Sequence, residues 1–258
     1  MQVKKTIISV LGCGWLGLPV ASYLVTQGFI VKGSVRSSEK IKELKLANIT
    51  PYIVDIDSER LIDKAFLEAD VLVITIPSKN NQGFQNLIAA IKKASLKKVI
   101  FISATSVYPS SDKLITEEHK TVDTPLASIE KLFLNHIEFD TTILRFGGLF
   151  GANRNPGNFF RNGRVIKNPE GRVNMIHQED CIRIIHRVLE SDIATDVFNG
   201  CADTHPTRRD FYTRATLNLG LEAPMFEENQ PVQMKTICNE KLKKTFNYSF
   251  KHADLLNI

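Results

Sequence analysis

The sequence predicts an α/β protein built on a doubly wound parallel sheet with helices on both faces. Short and almost wholly apolar runs alternate with amphipathic segments over residues 1–150. Apolar strands of this kind are typical of parallel sheets, because both faces of such a sheet are buried. Right-handed crossovers between the strands then give a doubly wound sheet. After Gly151 the sequence is richer in Asn, Gly and Arg, which predicts a smaller α/β C-terminal lobe over residues 151–258.

The predicted elements follow one another regularly along the chain. The strand-like runs are 6–11, 29–35, 52–56, 71–77, 98–104 and 141–146, followed in the lobe by 172–176 and 196–200. A helix is expected from Thr124-Pro125 to about residue 136, since threonine is a common N-cap and proline is accepted in the first turn. Thr207 and Asp210 form a capping-box pattern at the start of another helix. The lobe is expected to fold onto the sheet, giving one compact unit.

Composition excludes several classes of protein. The 258 residues are 43% hydrophobic and 24% charged, which is ordinary for a soluble globular chain. The net charge of +5 is mild, and the densest basic cluster (Lys241, Lys243 and Lys244) is expected on the solvated side of a C-terminal helix. No nucleic-acid partner is therefore expected. No stretch approaches the roughly 20 apolar residues of a membrane span.

The four cysteines have no metal-binding spacing. The apolar run 6–11 is too short for a signal peptide and leads directly into a glycine loop. Free thiols in a reducing cytoplasm are therefore expected, with no metal. The sequence leaves open whether the protein is a monomer or a homodimer.

A glycine-rich loop, "VLGCGWLG", follows the first strand and opens the first helix. This context predicts a Rossmann-type dinucleotide site. Gly12 permits the tight turn, Gly14 lets the backbone approach a pyrophosphate, and Gly17 lets the helix pack closely on the strand. The loop residues Trp15 and Leu16 lie at the helix N-terminus, whose N–H groups and positive dipole end attract an anion.

The end of the second strand favours NADP over NAD, although NAD stays possible. An NAD site usually places an acid here, but none precedes Glu39. Ser34, Arg36, Ser37 and Lys40 stand there instead, and a guanidinium beside hydroxyls suits a 2′-phosphate. The alternative is that Arg36 only solvates a loop.

Two later strand ends complete the expected cofactor site. Asp55 either accepts a hydrogen bond from the adenine amino group or closes a turn. Ile76 and Pro77 follow the fourth strand, at the edge of the sheet where open α/β proteins bind their ligands.

The order of these motifs resembles the extended and atypical short-chain dehydrogenases/reductases, the NAD-dependent epimerase/dehydratase superfamily. The matching stretches are "VLGCGWLG", "VRSSEK", "VIFISATSVYP", "TILRFGGLFGANR", "VNMIHQEDCIRII" and "VFNGCADTHPTRRDFY". The resemblance implies a Rossmann domain that binds NAD(P) and a C-terminal lobe that binds a small substrate, commonly a nucleotide-linked sugar.

The resemblance also implies a catalytic Ser or Thr after the fifth strand, with a Tyr and a Lys four residues apart. Ser103 and Thr105 flank Ala104, where the hydroxyl residue is expected. Lys131 stands for the motif lysine, but Ala127 occupies the tyrosine position. The tyrosines are Tyr23, Tyr52, Tyr108, Tyr212 and Tyr248, and none has a lysine four residues later.

Other residues become candidates because this tyrosine is absent. Tyr108 and Glu130 are candidate acids, although Glu130 is rather expected to face solvent on its helix. Arg145 and Arg154 are candidates for clamping an anionic substrate. His177 is a candidate substrate ligand, with helix capping or packing as its alternative role.

Two functions follow from these observations. The first is an NAD(P)-dependent epimerase/dehydratase-like oxidoreductase acting on a nucleotide-sugar-like or other small carbonyl or alcohol substrate. The second is a non-catalytic NADP-binding regulatory or redox-sensing module, since the tyrosine that normally exchanges the proton is missing.

Overall fold

The computed structural model describes residues 5–58, 61–161, 163–229 and 231–257 of the chain. Its strands are β1 (Ile7–Leu11), β2 (Ile30–Val35), β3 (Thr50–Ile53), β4 (Val71–Ile74), β5 (Lys98–Ala104), β6 (Leu114–Ile115), β7 (Asp140–Phe146), β8 (Gly148–Phe150), β9 (Met175–His177), β10 (Asp196–Gly200) and β11 (Thr236–Ile237). Its α-helices are α1 (Gly17–Thr26), α2 (Ile41–Leu46), α3 (Lys64–Leu67), α4 (Asn81–Ile91), α5 (Pro125–Leu134), α6 (Gln178–Leu189), α7 (Arg208–Leu217) and α8 (Glu240–Phe246). Within the described ranges, no helix has the length and apolar character needed to cross a membrane.

The central sheet has the strand order β10-β7-β5-β4-β1-β2-β3. β1 pairs in parallel with β2 on one side and with β4 on the other, and the pairs β2–β3 and β4–β5 are parallel as well. The chain therefore winds away from β1 in both directions. The direction of winding thus reverses at β1. In sheets of this kind a ligand crevice lies at the carboxyl end of the strand where the direction reverses. The predicted doubly wound, Rossmann-type sheet is confirmed.

Several strands differ from the sequence prediction, and β4 ends at Ile74, before the end of the predicted run 71–77. β10 has the expected bounds but joins the central sheet beside β7, although it was expected in the C-terminal lobe. β9 is shorter and later than the predicted run 172–176 and pairs in parallel with β8. β3 begins and ends earlier than the predicted run 52–56. A short apolar run predicts that a segment is extended. The neighbouring strand with which it pairs depends on tertiary contacts.

The first of two compact units runs up to Ser103 and includes Asp123–Leu144 and Ile184–Val197. Its core packs aromatic rings from α4, β5 and α5. Phe101 and Phe133 stack with ring centroids 5.2 Å apart, and Phe84 meets both rings edge-on. All three rings are buried. Ring packing of this kind gives the strands that carry the expected cofactor loop a rigid base.

The second unit comprises Ala104–Val122, Arg145–Arg183 and the chain from Phe198 onward. Its core cluster contains Phe150, Val173, Met175, Ala202, Phe211 and Leu255. Each unit is built from separate stretches of the chain. Residues 104–122 belong to the second unit and residues 184–197 to the first, because the chain passes between the units several times.

Candidate functional site

The glycine loop between β1 and α1 is held by hydrogen bonds to the end of β2. The amide of Cys13 donates to the carbonyl oxygen of Ser34 at 2.7 Å, and the amide of Gly12 donates to the Ser34 hydroxyl at 3.0 Å. Within the loop, the Gly14 amide donates to the Gly12 carbonyl at 2.7 Å. Ser34 is fully buried, so its hydroxyl positions the loop and does not face a ligand.

The three glycines of the loop are surrounded differently. Gly12 has φ +98°, and a Cβ there would lie 2.4 Å from Cγ2 of Ile76. A Cβ on Gly17 would lie 2.1 Å from the carbonyl oxygen of Gly12. A Cβ on Gly14 would meet nothing within 4 Å. Packing therefore requires Gly12 and Gly17, whereas the open space at Gly14 fits the close approach of a pyrophosphate.

The N-terminus of α1 is suited to an anion. Its N-cap residue, Leu16, supplies no side-chain cap, and the first turn contains no acidic residue. Leu16 is buried and Trp15 is half-buried beside it. The N–H groups and positive dipole end of this ten-residue helix are therefore not neutralised by a nearby carboxylate of the helix.

The residues that follow β2 are exposed to solvent. Arg36, Ser37 and Lys40 all lie on the surface, the last in a short 3₁₀ turn. Over the described ranges, neither Arg36 nor Lys40 forms an ion pair. The exposed side chains are therefore available to a ligand bound at this end of the sheet.

Two further predicted cofactor residues are used within the protein. The carboxylate of Asp55 accepts a hydrogen bond from the amide of Asp57 at 3.1 Å, which closes a turn after β3. Ile76 packs against Gly12, as described above, and Pro77 is exposed just after β4. These contacts place Ile76 under the loop and Asp55 in a turn.

A buried pair, Ser103 and Glu130, lies at the end of β5. The Ser103 hydroxyl donates to Oε1 of Glu130 at 2.5 Å, and the two side chains are 5% and 2% exposed. The expectation that Glu130 faces solvent is wrong. Glu130 lies one turn after buried Ala127 on the inner face of α5, whereas Lys131 faces solvent. A charged residue beside an apolar stripe was predicted to be exposed because the sequence does not reveal its partner.

Tyr108 lies in the second unit and has polar partners on both sides. Its hydroxyl donates to Oδ1 of Asn199 at 2.9 Å and accepts from a guanidinium nitrogen of Arg145 at 2.6 Å. Tyr108 and Arg145 are 2% and 5% exposed. Burial raises the pKa of Tyr108, while the Arg145 guanidinium opposes that rise. Both predicted site residues are therefore engaged with each other inside this unit.

The remaining predicted substrate ligands, Arg154 and His177, contact other residues. Arg154 is exposed and places its guanidinium over the ring of Phe159 at 5.9 Å. The rings of His177 and His252 lie with centroids 3.6 Å apart and planes inclined by 33°, and Nδ1 of His177 accepts the amide of Glu179 at 3.2 Å. Burial and the neighbouring His252 lower the pKa of His177.

Ligand atoms of His177, Glu179 and His252 lie within 4.8 Å of one another. Glu179 already accepts from Lys251 at 2.6 Å and from Arg183 at 3.1 Å. Nε2 of His252 also lies 3.3 Å from Oε2 of Glu179, within hydrogen-bond distance. This arrangement supports a hydrogen-bonded cluster better than a metal centre.

A cavity of about 310 Å³ in the second unit was missed by sequence reasoning. Predicted Thr105 lines it, together with the unpredicted Arg172, Arg208, Tyr212 and Lys235. Arg172 is the first residue of the predicted strand 172–176, and Arg208 directly follows the Thr207 cap. The sequence did not show that these side chains line one cavity, because they come from three separate segments.

The chain belongs to the NAD(P)H-binding family, whose model matches residues 12–192. The matched range begins at the glycine loop and includes the Ser103–Glu130 pair. This match confirms the expected nicotinamide cofactor.

Known relatives and solved structures agree with the fold. The chain is 31% identical to "Protein YeeZ" of Escherichia coli strain K12, over 90% of this chain and 93% of that protein. It superimposes with a TM-score of 0.81 on a conserved protein of unknown function from Silicibacter pomeroyi, with 17% identity over 98% of this chain and 96% of that one. A UDP-glucuronic acid 4-epimerase from Bacillus cereus, solved with UDP-glucuronic acid and NAD, gives a TM-score of 0.79 and 19% identity, over 97% and 96% of the two chains. The expected likeness to NAD-dependent epimerases is confirmed for the fold.

Proposed function

We propose that this protein is an NADP(H)-dependent oxidoreductase of the epimerase/dehydratase type, acting on a small alcohol or carbonyl compound. The observation that carries the proposal is the buried hydrogen bond between Ser103 and Glu130. It lies at the carboxyl end of β5, in the same unit as the glycine loop. Carboxyl ends of parallel strands meet at one edge of the sheet, where ligands bind.

The residues around the loop fit a dinucleotide phosphate. The open space at Gly14 and the N-terminus of α1 suit the pyrophosphate. Arg36, Ser37 and Lys40 offer charge and a hydroxyl to a 2′-phosphate, where an NAD site would place an acid. When bound, the nicotinamide supplies a hydride acceptor or donor.

Ser103 and Glu130 supply the accompanying proton transfer. In the oxidation of an alcohol, the substrate O–H gives its proton to Oγ of Ser103 as Ser103 passes its own proton to Glu130. With this proton removed, the C–H hydride would pass to the bound hydride acceptor and leave a carbonyl product. Reduction reverses each transfer. Glu130 thus acts through Ser103. Ala127, which occupies the tyrosine position of the family motif, has no proton to exchange.

Calorimetric titration of NADPH and NADH tests the cofactor assignment. Arg36→Gln is expected to weaken NADPH binding at least tenfold and to leave NADH binding unchanged, because only NADPH carries the 2′-phosphate. Lys42→Gln is the matched control, since Lys42 is an exposed lysine on α2 without an assigned role. An unchanged preference in Arg36→Gln would show that the 2′-phosphate is bound elsewhere.

A turnover screen tests the enzyme assignment. NADPH oxidation is followed with a panel of small aldehydes and ketones. Glu130→Gln is expected to lose at least 100-fold in kcat with NADPH affinity retained, and Ser103→Ala to behave similarly. Full activity in Glu130→Gln would refute the proposed proton path.

A second candidate function is a non-catalytic NADP-binding module. Two observations favour it: Ala127 occupies the buried face of α5, and Tyr108 is engaged by Arg145 and Asn199. Tight NADPH binding without turnover on any compound of the panel would support this module.

A further inference from the structure

Three basic side chains from separate segments line the cavity of about 310 Å³ in the second unit. Arg172 donates to the carbonyl of His205 at 3.3 Å, and Arg208 to that of Lys167 at 3.2 Å. Lys235 donates to the carbonyl of Tyr108 at 2.5 Å and to that of Thr105 at 3.3 Å. Carbonyl groups orient these side chains but do not neutralise their charge.

The positive charge of the cavity is not balanced by protein acids. Across the described part of the chain, none of the three basic residues forms an ion pair, and no Asp or Glu lines the cavity. The neighbouring Arg209 forms ion pairs at 2.8 Å with Glu170 and at 2.9 Å with Glu228. Arg209 is therefore paired with acids, whereas Arg208 beside it has none.

The charges also act on one another. Burial lowers the pKa of Lys235, and the Arg208 guanidinium lowers it further. Two cations close enough to interact in a half-buried cavity repel each other. A bound anion removes this repulsion and gains from all three charges at once.

Tyr212 adds a neutral donor to the cavity. Burial raises its pKa against the opposing effect of Arg208, so the hydroxyl stays protonated. Its ring is held edge-on against Phe160 and Phe211, with centroids 4.8 and 5.1 Å away. Over the residues described, its hydroxyl has no hydrogen-bond partner.

We infer that this cavity binds a small phosphate monoester and not a nucleoside diphosphate sugar. Three cations and a phenol match the charge and acceptor oxygens of one phosphate dianion. The volume lies at the lower end of the roughly 300–1,000 Å³ of ligand pockets, which suits a phosphate with a short carbon chain. The binding of the monoester does not depend on the function proposed above.

Titration of the full chain without nucleotide tests the binding. The probes are inorganic phosphate, glucose 6-phosphate, uncharged glucose and UDP-glucose. Glucose 6-phosphate is expected to bind at least tenfold more tightly than glucose and than UDP-glucose, and inorganic phosphate to compete with it. Tighter binding of UDP-glucose, or no saturable binding of either phosphate probe, would overturn the inference.

Variants locate the site. Arg208→Gln and Lys235→Gln are each expected to weaken the binding of glucose 6-phosphate at least tenfold. Arg209→Gln changes the adjacent arginine, which is paired with acids, and is expected to leave this affinity unchanged. Arg172→Gln changes an exposed side chain and keeps the test valid if a more buried variant fails to fold. NADPH affinity, measured separately, is expected to stay constant in all four. Equal glucose 6-phosphate affinity in the folded cavity variants and Arg209→Gln would place the anion elsewhere.

Discussion

At the scale of single residues, two glycines of the β1–α1 loop lack side chains for different reasons. Gly12 has a left-handed backbone and would press a Cβ against Ile76. Gly14 has open space where its Cβ would be. Both glycines belong to the same sequence motif, but of these two only Gly12 is required by the packing of the protein itself.

Alanine substitutions are expected to separate these roles. Gly12→Ala should lower the free energy of unfolding by on the order of 2 kcal/mol, since a positive φ and a steric clash are both imposed. Gly14→Ala should leave the unfolding free energy within about 0.5 kcal/mol but weaken NADPH binding at least tenfold. Urea denaturation and calorimetry measure the two effects. A Gly14→Ala variant that is destabilised and still binds NADPH normally would reverse the assignment.

At the scale of elements, α5 shows how a cap orients a helix. The hydroxyl of Thr124 accepts the amide of Ala127 at 3.2 Å, and Pro125 follows in the first turn. This start places Ala127 and Glu130 on the buried face and Lys131 on the exposed face. The cap was predicted from the sequence, and the orientation that brings Glu130 to Ser103 follows from packing.

Removing the cap is expected to destabilise the protein modestly. Thr124→Ala should lower the unfolding free energy by about 1 kcal/mol, because one helix N–H loses its partner. Lys131→Ala, an exposed change in the same helix, should stay within about 0.5 kcal/mol. Thermal and urea unfolding measure both. If the two variants are equally stable, the Thr124 hydroxyl contributes nothing to the helix.

At the scale of the whole molecule, a fully buried carboxylate holds the C-terminal segment of the second unit. Asp180 accepts the Tyr248 hydroxyl at 2.7 Å and the amides of Lys251 and His252 at 2.8 and 3.0 Å. Burial raises the pKa of Tyr248, and its hydrogen bond to Asp180 raises it further. The segment is thus fixed by a residue 68 positions earlier.

Asp180→Ala is expected to release this segment. Loss of the acceptor leaves the buried Tyr248 hydroxyl and two partly buried amides unpaired, so the unfolding free energy should fall by about 3 kcal/mol. Hydrogen exchange of residues 248–252 should accelerate in parallel. Tyr248→Phe keeps the carboxylate and both amide bonds, and should cost only about 1 kcal/mol. Unchanged exchange in Asp180→Ala would mean that other contacts hold the segment.

The sequence alone determined the parts of this protein that depend on local patterns. Apolar runs alternating with amphipathic helices identified the doubly wound sheet. The glycine spacing located the loop at which the family match begins. Thr124 and Thr207 were recognised as caps because capping involves residues only a few positions apart. Each of these features is written within a short stretch of chain.

Only the tertiary structure decided which polar residues meet. Glu130 and Ser103 are 27 residues apart, and Arg145 and Tyr108 are 37 apart. No periodicity in the sequence predicts either contact. The cavity cations come from three segments whose side chains share one direction only after folding. Burial and long-range pairing set these contacts, and a buried polar group takes whichever partner the packed chain presents.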